Sequence, residues 1–210
     1  MWERLPRGLS RTATSSSSLS DLDDWLAAVL ATPGLTALRD PERAREMLLD
    51  DALRALPLLE PYEGALVDVG SGGGSPGIPL AAVQPERKVT LLDAARRRCD
   101  FLRRWAPPNA EVVWGRAEEQ PPERWSVAVA KALAQPPVAA ELCLPLVRTG
   151  GAAILWLGES ADLDRLAAAS ERLGGGVPEL HDGLAVLPKV APTPPGFPRR
   201  AGLAKKRPLA

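Results

Sequence analysis

The sequence predicts an α/β chain: a mainly parallel, doubly wound sheet with helices on both faces, preceded by a helical extension. Three observations predict it. From Gly64 onward, short apolar runs alternate with helical patterns, the order that crossover helices impose on a parallel sheet. The first of these runs, Leu66-Val67-Asp68-Val69, ends in the glycine-dense segment Gly70-Ser71-Gly72-Gly73-Gly74. Ahead of Gly64 only helical periodicity is found.

The elements follow in order. Ser20 is read as the N-cap of a first helix with Leu22, Trp25, Leu26, Val29 and Leu30 on one face. Asp40 and Pro41 open a second helix, which runs to about Leu59 with Ala44, Met47, Leu48, Ala52, Leu56 and Leu59 facing inward. Strands are expected at 65–69, 88–92, 111–114, 126–130 and 151–157, and helices at 76–84, 94–106, 136–148 and 161–173. A run at 184–190 fits an edge hairpin whose partner the pattern does not identify. The domain reading is a leader over 1–19, a helical extension over 20–63, the sheet domain over 64–191, and a basic arm over 192–210.

Composition narrows the class. With 210 residues, 45% of them hydrophobic, the chain can bury a core without staples. Lys plus Arg and Asp plus Glu both total 26, so net charge does not single out a polyanionic partner. Local charge does: Arg96, Arg97, Arg98, Arg103 and Arg104 share one helix with a single acid, Asp100. The segment from Lys189 to Ala210 holds Lys189, Arg199, Arg200, Lys205, Lys206 and Arg207 and no acid. Such clusters are footprints for phosphates, or else a solvated helix face and a solubilising tail. Cys99, Cys143 and the one histidine, His181, make no metal set and support no Ser-His-Asp triad. No apolar run is long enough to cross a bilayer, and the N-terminus lacks the apolar core of a secretory signal, so a cytoplasmic location is expected; nothing in the pattern suggests an obligate dimer, and a monomer is expected.

The chemistry is read from the strand ends, because ligands of open α/β sheets sit outside the carboxyl ends of the strands. Asp68 and the alternating Gly70, Gly72 and Gly74 follow the first strand, with Ser75 next. Glycines there let the main chain approach a ligand, and the N-terminus of the helix beyond offers N–H groups. Asp93 closes the second strand about 25 residues after Asp68, near the spacing of an acid that accepts from ribose hydroxyls. Asp93 also suits a helix cap. Gly115-Arg116-Ala117-Glu118-Glu119 follows the third strand, where an adenine would lie, and Lys131 ends the fourth. Together these mark cofactor binding at successive strand ends. Alternating glycines followed by Pro76, rather than G-x-G-x-x-G, are the first motif of the class I S-adenosylmethionine-dependent methyltransferases, whose sheet is Rossmann-like.

A closer resemblance extends from about Gly34 to Leu209. LTALRDP, VDVGSGGGSPGIPLA, VTLLDAARRRCDFL, GRAEE and FPRRAGLAKKRPL are similar to the bacterial 16S ribosomal RNA guanine-N7 methyltransferase family, also called the glucose-inhibited division protein B family. The resemblance implies transfer of a methyl group from S-adenosyl-L-methionine to N7 of one guanine in 16S rRNA, position 527 by family convention. It implies cofactor contacts at Gly70, Ser75, Ala117, Glu118 and Lys131, and as partner 16S rRNA or the small ribosomal subunit. It makes Arg96, Arg97, Arg199, Arg200, Lys205 and Lys206 candidates for contacting RNA. The chain departs from the family pattern with Lys131 for arginine, Ser75 for a large apolar residue, Met47 for histidine, and Leu157 for lysine. No catalytic side chain is assigned. Two other readings of the residues are a small-molecule methyltransferase and a non-catalytic cofactor-binding paralogue acting in ribosome assembly.

Overall fold

The computed structural model describes residues 16–210. Among these residues, seven strands form one sheet: β1 (Leu66–Val69), β2 (Val89–Asp93), β3 (Ala110–Trp114), β4 (Trp125–Ala130), β5 (Val147–Trp156), β6 (Glu179–His181) and β7 (Leu184–Pro188), in the order β3-β2-β1-β4-β5-β7-β6. β1 to β5 are parallel. β7 runs antiparallel to both β5 and β6. The hairpin partner missing from the sequence reading is therefore β6, with β7 inserted between it and β5.

Every residue of β1, β2 and β4 is buried, because helices cover both faces. The pleat sorts their side chains. Val67, Val69, Ala128 and Ala130 join a core with α7 (Pro136–Cys143), α8 (Leu163–Arg172) and α9 (Leu203–Lys206). Leu66, Val127 and Val129 join the opposite core, with α1 (Ser16–Ala31), α5 (Gly77–Val83) and α6 (Arg96–Trp105). The strand order reverses between β1 and β4, so a topological switch point lies at the carboxyl end of β1, under the glycine loop.

Several boundaries differ from the sequence reading for identifiable reasons. α1 opens at Ser16, so Ser20 lies inside it; residues 1–15 of the expected leader lie outside the described residues. The second helix is not uniform. Asp40 caps α2 (Pro41–Ala44) by accepting from the Arg43 N–H at 2.8 Å, as expected. A π-helical turn, Arg45–Asp50, then leads into α3 (Asp51–Leu53) and, after a break, α4 (Leu56–Leu59). Wider turns shift the helical phase, so Leu49 is buried while Met47, expected inside, is exposed. α7 ends at Cys143 rather than near 148 because Pro145 cannot donate to a continuing helix; a 3-10 turn, Leu144–Leu146, takes over. β5 begins at Val147 and carries an irregularity around Gly150 and Gly151 before its register with β4 resumes at Ala152.

The basic segment after Pro192 is an arm packed on the domain. Ala204 and Leu209 are buried in the core beneath α7 and α8, and Arg172 donates to the Leu209 carbonyl at 2.6 Å.

Candidate active site

At the carboxyl ends of β1, β2 and β3 lies a cavity of about 140 Å³. Val69, Gly70, Leu92, Asp93, Ala117 and Glu118 form its inner wall, and Leu133 and Leu142 add apolar surface. Gly202, Ala204 and Lys205 of the arm close its outer side. A larger, open depression of about 530 Å³, lined by Glu63–Ala65 and Gln84–Lys88, lies at the opposite end of the strands. Ligands of this sheet topology bind at the carboxyl ends, so the smaller cavity is the candidate site.

The glycine loop is held from three directions. Asp93 spans β2 and the loop: Oδ2 accepts from the Gly72 N–H at 2.9 Å and Oδ1 from the Ala95 N–H at 2.8 Å. Arg98 adds a guanidinium 3.6 Å from Oδ2. A carboxylate has about four acceptor positions, so two main-chain bonds leave room for ribose hydroxyls. Asp68, beneath the loop, accepts from the Gly77 N–H at 3.0 Å, tying the start of α5 to β1. Its other oxygen has no partner, and burial pushes its pKa up to about 7. Trp25 of α1 reaches in from the side; its indole N–H donates to the Gly73 carbonyl at 2.8 Å.

Sterics explain two of the glycines. Gly70, at φ +76, faces the cavity, and a Cβ there would come within 2.5 Å of the Leu133 side chain. A Cβ on Gly77 would lie 2.4 Å from Leu91 and 2.6 Å from the Asp68 carboxylate, so the helix could not approach β1.

Among the residues expected to hold the cofactor, Gly70, Asp93, Ala117 and Glu118 come together on the cavity wall. Asp68, Gly72, Gly74, Ser75 and Lys131 do not line it. Asp68 and Gly72 act through the bonds just described. Gly74 packs under Ile78 and Trp25, where a Cβ would stand 2.5 Å from Ile78. Ser75 precedes α5, its hydroxyl buried without a partner. Lys131 turns toward the N-terminal extension, pairs with Asp51 at 2.5 Å, and donates to the Met47 carbonyl.

The basic residues divide similarly. Arg96, Arg97, Arg200, Lys205 and Lys206 are exposed, and Lys205 also lines the cavity. Arg199 corrects its sequence reading as a phosphate contact. It makes a two-pronged pair with Glu141 of α7, which is 2% exposed, and also donates to the Arg207 carbonyl. Lys189 is likewise withdrawn from the basic tail: its ammonium donates to Leu173 and Thr193, and burial lowers its pKa to about 8.

The arm also reaches a residue of the cavity wall. The Gly202 N–H donates to Glu118 Oε1 at 2.8 Å. Trp25, Leu133, Leu142, Gly202 and Ala204 were not singled out as site residues in the sequence. Leu133, close behind Lys131, carried the one usable signal, a leucine just beyond the end of β4.

The chamber suits S-adenosylmethionine in its lining: acceptor carboxylates after β2 and β3, apolar walls between them, and a glycine main chain at the end of β1. This fold and site define a class I S-adenosylmethionine-dependent methyltransferase. The family profile described as rRNA small subunit methyltransferase G matches residues 16–173. The chain is 38% identical to ribosomal RNA small subunit methyltransferase G of Synechococcus sp. (strain JA-2-3B'a(2-13)), over 96% of this chain and 88% of that protein. It is 39% identical to the protein of that name in Symbiobacterium thermophilum, over 83% and 82% of the two chains. The chain belongs to this family, and its activity is S-adenosylmethionine-dependent methyl transfer to small-subunit rRNA. The fold likeness extends to the T. thermophilus 16S rRNA N2 G1207 methyltransferase solved with AdoMet and guanosine. That match has a TM-score of 0.56 and 21% identity, over 78% of this chain and 43% of that one.

Proposed function

We propose that this enzyme methylates N7 of a single guanine in 16S rRNA, position 527 by family convention, working in the cytoplasm as a monomer on naked rRNA or on the small subunit. Membership of the methyltransferase G family is the observation that carries this reading. The site chemistry agrees with it. Guanine N7 has a lone pair and loses no proton before attack, so the protein's task is to align two reactants. No imidazole is needed at the cavity, and His181 lies away from it on β6, exposed beside Glu179.

S-adenosylmethionine supplies an electrophilic methyl group on a sulfonium when bound. The candidate residues to hold it are those at the strand ends. Asp93 would accept ribose hydroxyls with its free lone pairs. Leu92, Ala117 and Leu133 would supply the apolar walls for the cofactor's base, and Glu118 is kept in place by Gly202. Asp68, Gly72, Gly74 and Ser75 set the loop from below. Lys131, drawn to Asp51, fixes the N-terminal extension against the end of β4. Exposed Arg96, Arg97, Arg200, Lys205 and Lys206 meet the phosphates of the substrate.

The test is mass-spectrometric mapping of N7-methylguanine in 16S rRNA from cells lacking the gene. Loss of one modified guanine, restored by the wild-type gene, is expected. Unchanged N7-methylguanine would remove the assignment of target.

A further inference from the structure

We infer that Trp114, backed by Arg96, is a stacking platform for an unpaired base of the RNA substrate. Trp114 ends β3 and is 57% exposed, whereas Trp25 and Trp125 are buried at 1% and 2%. An indole held in water at a strand end gives up the burial that stabilises the other two.

The ring is nonetheless fixed. Its N–H donates to the Ala94 carbonyl at 3.1 Å, and the Arg96 guanidinium stands 5.6 Å from the ring centroid. Ala94 on one side and Gly115 and Arg116 on the other belong to the cavity wall. Trp114 itself does not, so the ring stands at the rim beside the cofactor chamber.

Its surroundings select the partner. Arg96, Arg97 and Arg98 on α6 and Arg116 after β3 are exposed around it. The exposed acid of α6, Asp100, is held by Arg103 at 2.8 Å. A flat apolar ring amid arginines fits a nucleotide, whose base stacks while its phosphate meets a guanidinium. Single-stranded RNA presents such bases; a duplex keeps them paired and stacked inward. The platform would hold a nucleotide flanking the target, and this inference rests on the assignment of RNA as substrate.

The test compares Trp114→Ala, Trp114→Phe and wild type in the full chain. It measures S-adenosylmethionine affinity by calorimetry, anisotropy of a labelled single-stranded RNA and of the matching duplex, and KM and kcat on undermethylated small-subunit RNA. The alanine variant is expected to weaken single-strand binding about 10- to 100-fold, the size of one stacked base. It should raise KM more than it lowers kcat and leave cofactor affinity unchanged. Phenylalanine should restore most of the binding. Equal losses on single strand and duplex, a loss in cofactor affinity, or no loss at all would each overturn the platform. If wild type binds the single strand yet methylates no rRNA, the target assignment fails while the binding comparison still decides the platform.

Discussion

Asp93 Oδ2 accepts the Gly72 N–H at 2.9 Å, so the acid at the end of β2 is a strut for the loop at the end of β1. One carboxylate thus shapes the glycine turn, and under the proposed function its remaining lone pairs serve the cofactor ribose. Replacing Asp93 with alanine should remove both contributions. S-adenosylmethionine Kd, measured by calorimetry, is expected to rise by at least tenfold, as losing one charged hydrogen bond of about 1.5–3 kcal/mol requires. Asparagine can still accept from Gly72 and should fall between the two. Unaltered affinity in both variants would reduce Asp93 to a purely structural role.

The N-terminal extension reaches the same loop through Trp25. Phenylalanine at this position keeps most of the ring's bulk but deletes the donor to Gly73 at 2.8 Å. A neutral hydrogen bond contributes about 0.5–1.5 kcal/mol. The expected result is a several-fold weaker cofactor affinity with only a modest fall in melting temperature. A large fall in Tm with intact affinity would assign Trp25 to the core alone.

Glu141 and Arg199 form the anchor of the arm. Arg199→Ala strands the buried Glu141 carboxylate, which costs about 3–5 kcal/mol, whereas Glu141→Ala leaves a guanidinium that is 19% exposed and still bonded to the Arg207 carbonyl, so its loss should be smaller. Urea unfolding should show both losses, and limited proteolysis should cut the released arm. Replacing both together with leucine and methionine should recover a large part of the stability, because a buried pair is often no more stable than apolar groups of similar volume.

Asp68 gives the protein a pH dependence. In the folded chain it holds its proton to about pH 7, whereas unfolded it titrates from 3.8. The folded state therefore binds more protons between these values. Its contribution is fully present below about pH 4 and is lost as pH rises to 7. The loss amounts to a few kcal/mol at about 1.4 kcal/mol per pKa unit. Asp68→Asn should flatten this part of a stability–pH curve measured by denaturant unfolding. An unchanged slope would show that burial does not retain the proton.

The parallel sheet was legible because β1, β2 and β4 are apolar at most positions and are separated by helical patterns. The glycine loop and Asp93 were legible for a local reason: their spacing in sequence reflects adjacent strand ends. The π-turn at Arg45–Asp50 was not, since a shift in helical phase leaves the apolar content unaltered while Leu49 rather than Met47 is turned inward. The fate of the cations was also hidden. Arg199 and Arg200 are neighbours of one kind, yet Glu141, distant in sequence, draws only the first inward. Nothing local signalled that Lys131 would turn to Asp51 or that Gly202 would meet Glu118.

Because Gly202, Ala204 and Lys205 wall the cavity, the chamber's last side is made from chain that leaves the ribosome after all seven strands. The nascent protein can assemble its sheet first and enclose its cofactor only afterwards. A stop codon just beyond β7 would accordingly keep every strand yet leave the candidate chamber roofless and Glu141 without its arginine, a lesion that looks minor in length and falls on both site and core.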